Sequence, residues 1–102
     1  MKTISAENVF NSINNAENIF LIDVREKDEY DSGHIKNALL LPLGDVKLKA
    51  QNVLPDKNKK IIVYCKSGRR AEMAAKELQS MGYTDVYNLG GILDWQYEVI
   101  KD

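Results

Sequence analysis

The sequence predicts an α/β fold, a small central and mostly parallel sheet flanked by helices. Two apolar runs of strand length, Ile19 to Ile22 and Ile61 to Tyr64, show no in/out alternation, the pattern of strands buried on both faces of a parallel sheet. Segments of helical period lie between such runs, and glycine or proline marks several junctions. No repeat, low-complexity tract or linker interrupts the chain, so residues 1–102 are read as one domain with no cleft between domains.

Ser5 is placed to cap a first helix, in which Ala6, Val9, Phe10 and Ile13 share one face, although Asn8 stands where a capping box would put Glu. The run Ile19 to Ile22 follows as a strand with Asp23 at its polar end. Glu26 to Asp31 reads as a charged helical turn broken by Gly33. Ala38 to Leu41, before Pro42, reads as a second extended segment, and Asp45 as the cap of another brief helix. Residues 55–60 form a polar turn whose lysines are read as solvated charges, leading into the central strand Ile61 to Tyr64. Ala71, Ala74, Ala75, Leu78 and Met81 then line one helical face, with Glu72 and Lys76 outside and Gly82 as the stop. Asp85 to Leu89 is a further strand, Gly90-Gly91 a break, and Ile92 to Ile100 a closing helix anchored by Trp95.

A net charge of −1 provides no basic stripe to follow a phosphate backbone, so nucleic acid is not an expected partner. The apolar runs are far too short to span a bilayer, and the polar residues after Lys2 offer no secretory core, so neither membrane nor export is expected. A single cysteine cannot close an internal disulfide and suits a reducing compartment, which makes the cytoplasm the expected location.

That cysteine, Cys65, falls where the central strand gives way to a helix, the place where open α/β sheets bind ligands. Lys66, Ser67, Gly68, Arg69 and Arg70 follow, combining a glycine for tight turning, a hydroxyl donor and three cations. Such a loop can aim several N–H groups inward as an anion nest at a helix N-terminus. The nest matters because a thiolate is the reactive form, and an ordinary thiol is only a few per cent ionised at pH 7. A helix terminus typically contributes about 0.3 to 1 kcal/mol, so loop amides and cations must supply most of the stabilisation. Without this context a lone cysteine is more often an inert buried thiol.

The loop Cys65-Lys-Ser-Gly68-Arg-Arg70-Ala resembles the active-site loop of rhodanese-like domains. Asp23-Val-Arg25-Glu, Glu29-Tyr30, Gly33-His34-Ile35, Ala38 and Pro42 resemble the family's N-terminal signature, and Leu89-Gly90-Gly91 with Trp95 its C-terminal one. The resemblance runs from about Ile4 to Trp95 and implies transfer of a sulfane sulfur, with thiosulfate as donor and cyanide or a thiol as acceptor. Cys65 is the matching nucleophile, carrying a covalent persulfide with no dissociable cofactor and no metal. Amides of Lys66 to Arg70, with Ser67, would hold the persulfide, and any of the three cations could receive the donor's sulfonate. Asp23 and Arg25 are expected to brace the loop by charge-assisted hydrogen bonds and not to act on substrate. His34, the only histidine, is assigned a structural role in a turn.

Two other readings stand beside this one. Related phosphatases and arsenate reductases place five residues between the cysteine and arginine of the loop, whereas four separate Cys65 from Arg70, a ring better suited to one sulfur atom than to a phosphate. Some rhodanese-like domains are non-catalytic docking modules, often without the cysteine. A sulfur-accepting protein is a further expected partner beside the small-molecule donor and acceptor.

Overall fold

The computed structural model describes residues 2–101. Five parallel strands form the sheet: β1 (Lys2–Thr3), β2 (Ile19–Asp23), β4 (Leu39–Leu40), β5 (Lys60–Cys65) and β6 (Val86–Gly91), in the order β1-β6-β5-β2-β4. The helices are α1 (Ala6–Asn14), α2 (Lys27–Ser32), α3 (Val46–Val53) and α4 (Arg69–Ser80). β3 (His34–Ile35) and β7 (Val99–Ile100) pair separately as an antiparallel ribbon. The expected α/β class and parallel sheet are present.

β5 sits between β6 and β2, and its side chains divide by the two-residue period of a strand. Ile61, Val63 and Cys65 face a core that includes Ala71, Ala74, Ala75 and Leu78 of α4 with Val46 and Ala50 of α3. Ile62 and Tyr64 face the opposite core with Val9 of α1, Ile35 and Ala38. Burial on both faces explains the unbroken apolar run in the sequence, because neither face may be polar. The helix faces read from the sequence agree: α4 buries Ala71, Ala74, Ala75 and Leu78, and the Ser5 hydroxyl accepts the Asn8 N–H at 3.1 Å.

Four local expectations are corrected. Residues 92–100 form no helix: one short turn of 3-10 helix at Ile92–Asp94 gives way to an extended segment ending in β7. Trp95, Tyr97 and Val99 also fit a two-residue period, and pairing of the β-branched Val99-Ile100 with β3 decides the competition. Trp95 packs on the second core and meets the Tyr97 ring edge-on at 5.0 Å. Gly90-Gly91 ends β6 without interrupting it, and a register shift at Val63/Tyr64 absorbs one residue there. Asp45 precedes α3 but makes no side-chain cap. Lys57 donates to the Met81 carbonyl at 2.8 Å, and Lys59 lies 4.2 Å from the Phe20 ring centroid, so these cations cover aromatic and backbone groups.

Candidate active site

Cys65 is the last residue of β5, and its buried sulfur faces the first turn of α4. Its Sγ accepts N–H groups from Gly68 at 3.0 Å and Ala71 at 3.3 Å. Both donors sit where a helix N-terminus leaves amides without internal partners, so the sulfur takes the place of a capping acceptor and lies at the positive end of the helix. Gly68 precedes α4 with φ +113°, a conformation that a side chain disfavours, and this turn aims its N–H back at the sulfur.

The neighbouring strand shapes the loop from behind. Gly91 lies opposite Cys65 in the ladder, and its φ of −121° is ordinary. Space is what requires glycine: a Cβ there would overlap the Lys66 carbonyl oxygen and lie 2.6 Å from Ser67 Cα. The Leu93 N–H donates to that carbonyl at 3.2 Å, fastening the loop to the segment after β6.

From the opposite side, Glu29 of α2 grips Arg70 of α4. Arg70 Nη1 and Nη2 donate to Glu29 Oε1 and Oε2 at 2.7 and 2.9 Å, a forked pair across 41 positions of sequence. Glu29 also accepts the Glu26 N–H at 3.0 Å, tying the pair to the start of α2. The Arg70 hydrogen bond holds the Glu29 carboxyl at about 2, well below its ordinary 4.5. A lowered folded-state value means that the pair's stabilisation is complete above about pH 4.5 and fades as pH falls toward 2. Glu29→Gln should therefore melt below wild type by a constant margin from pH 5 to 8, a margin that closes in scans taken below pH 4.

Lys66, Ser67 and Arg69 are exposed on the loop, and among the described residues neither the Lys66 nor the Arg69 side chain has a bonded partner. Asp23 and Arg25 are buried and bonded to each other, with Arg25 Nη2 to Asp23 Oδ2 at 2.7 Å. Arg25 also donates to the Gly33 carbonyl at 2.7 Å, and Tyr64 donates to Asp23 at 2.7 Å while accepting the Ile35 N–H at 3.1 Å. Burial and the adjacent Asp23 carboxylate push the Tyr64 phenol well above its ordinary value, keeping it a donor. Among the described residues no hydrogen bond joins Asp23 or Arg25 to residues 66–70. Their network braces Tyr64, one residue before Cys65, and residues 33–35, whereas Glu29 bonds Arg70 directly. The expected direct brace is corrected accordingly. His34 is buried, stacks on Tyr30 with ring centroids 3.8 Å apart and has Nδ1 3.0 Å from the Tyr30 carbonyl oxygen.

Sequence reasoning missed three contributors. Ala71 serves through its backbone N–H, which residue identity does not reveal. Glu29 pairs with Arg70 only in the fold, although its position in the N-terminal signature was a signal. Gly91 was read as a break, and its pairing with a neighbouring glycine was the available clue to a close approach.

A parallel α/β domain that presents a thiol to converging amides at the carboxyl end of its central strand places that thiol where open sheets of this class bind ligands. The chain belongs to the rhodanese-like domain family, which matches residues 5–98. It is 42% identical to the thiosulfate sulfurtransferase PspE of Escherichia coli over 80 residues, covering 78% of this chain and 77% of that one. It is 37% identical over 93 residues to the putative sulfur carrier protein YrkF of Bacillus subtilis, covering 90% of this chain and 49% of that one. A solved structure described as rhodanese with anions, from E. coli, superposes with a TM-score of 0.77 at 38% identity, over 82% of this chain and 99% of that one. These relatives support sulfur transfer as the general activity of the chain.

Proposed function

We propose that the protein transfers a sulfane sulfur from thiosulfate to a thiophilic acceptor through a persulfide on Cys65. The observation that carries the reading is the pair of N–H groups, from Gly68 and Ala71, converging on a sulfur at the end of β5. Donors fixed in advance favour an anion at that point and require no reorganisation when it forms.

In the first half-reaction the Cys65 thiolate attacks the outer sulfur of thiosulfate. A Cys–S to S bond forms, the bond to the sulfonate sulfur breaks, and its electron pair leaves with sulfite. One negative charge enters on the thiolate and one remains on the persulfide, so no proton moves and no general base is needed. In the second, cyanide or a thiolate attacks the terminal sulfur, and the bond to Sγ breaks to restore the Cys65 thiolate. The scheme needs no dissociable cofactor, because the transferred sulfur is the only passenger. A protein acceptor is compatible with the exposed loop, and the name sulfur carrier given to YrkF supports such a handover.

Arg70 favours this reading over phosphatase chemistry, because both its terminal nitrogens bond to Glu29 and its fork is already engaged. Wild type should convert thiosulfate and cyanide to thiocyanate and gain one sulfur in intact mass after thiosulfate alone. Cys65→Ser should lose both properties while keeping its melting temperature. A reduced, folded wild type showing neither would leave the docking-module reading in its place.

A further inference from the structure

The three loop cations are not equivalent, because a carboxylate from another element is joined to only one of them. Glu29 and Arg70 meet in a forked pair, whereas Lys66 and Arg69 are exposed without bonded partners among the described residues. Arg70 immediately precedes Ala71, whose backbone N–H reaches Sγ, so this cation is carried by the same first turn of α4 that meets the sulfur. The hydrogen bond to Glu29 contributes most to raising the Arg70 guanidinium above its ordinary value, with a smaller electrostatic contribution from Cys65 in the same direction.

We propose that Glu29 is a positioning residue that sets donor selectivity through Arg70, cancelling that charge so that Lys66 and Arg69 alone draw the anionic donor to the loop. The inference rests on the sulfur-transfer reading of the site. A pair of net charge zero attracts a dianion far less than a free guanidinium does, so the loop acts as a site with two effective cations where its sequence carries three. Partial cancellation has a chemical rationale. Sulfite leaves as a dianion and must depart before an acceptor can enter, and a third free cation would retain it.

A charge cycle distinguishes this role from simple bracing. At low ionic strength, Glu29→Gln should lower the KM for thiosulfate about threefold and raise the rate of Cys65 alkylation by neutral iodoacetamide at pH 6 by a similar factor. Arg70→Gln leaves Glu29 uncompensated and should shift both quantities the opposite way, by about the same factor. The double variant should return both to between the single-variant values. Lys66→Gln and Arg69→Gln should each raise KM by about threefold, with the effect fading in high salt. If the pair only braces the loop, Glu29→Gln and Arg70→Gln will change alkylation in the same direction and the double variant will show no restoration, which would overturn the proposal. An unchanged KM in Lys66→Gln and Arg69→Gln would also overturn it. The alkylation arm reads the charge effect without sulfur transfer, so a wild type inactive toward thiosulfate would defeat the persulfide reading separately.

Discussion

Gly91→Ala is expected to lower kcat/KM for sulfur transfer by at least about 100-fold, because misplacing a reacting atom by about 1 Å can cost that much. The added methyl would meet the Lys66 carbonyl and Ser67 Cα, both of them backbone, so no side-chain rotation can relieve the overlap. Either β6 separates from β5 at the Cys65–Gly91 position or the loop lifts, and in both cases the geometry at Sγ changes. Overpacking of this kind typically costs about 1 to 3 kcal/mol, and each kcal/mol lowers Tm by roughly 4 to 8 °C in a domain of this size. Mass spectrometry after thiosulfate, together with a thermal melt, reads both effects. A folded variant forming persulfide at the wild-type rate would show that contact with Gly91 does not set the loop.

The second large effect concerns stability. Asp23→Ala should destabilise the fold by about 3 to 5 kcal/mol, the usual cost of removing one partner from a buried ion pair. Arg25 would keep the Gly33 carbonyl but lose its counter-charge, and the Tyr64 hydroxyl would lose its acceptor in the same buried space. Domains hold only about 5 to 15 kcal/mol in total, so the loss is visible as a large drop in the urea midpoint. Activity per folded molecule at 10 °C should fall far less than stability does. A loss of turnover without a loss of stability would instead place Asp23 in the chemistry.

Much of the fold was legible because its signals are local. A strand buried on both faces writes itself as an apolar run, and the helix after it records its inner face in Ala71, Ala74, Ala75 and Leu78. The placement of the loop after Cys65 was equally legible, since strand, cysteine, glycine and helix are contiguous. The closing segment was misread because residues 92–100 fit both a helical and a two-residue period, and its β3 partner lies more than 60 positions earlier. The edge strand β1, only two residues long, leaves no period to detect at all.

Chain order alone thus specified the α/β class, the central strand and the thiol at its end, because each depends on residues within a few positions of one another. The fold settled which cation is neutralised, which glycine must remain small and which buried network holds Tyr64. Those properties arise from contacts such as Glu29 with Arg70 and Gly91 with Lys66, between groups that become neighbours only when the sheet is assembled. Their energies depend on distance and burial, which a linear pattern does not encode.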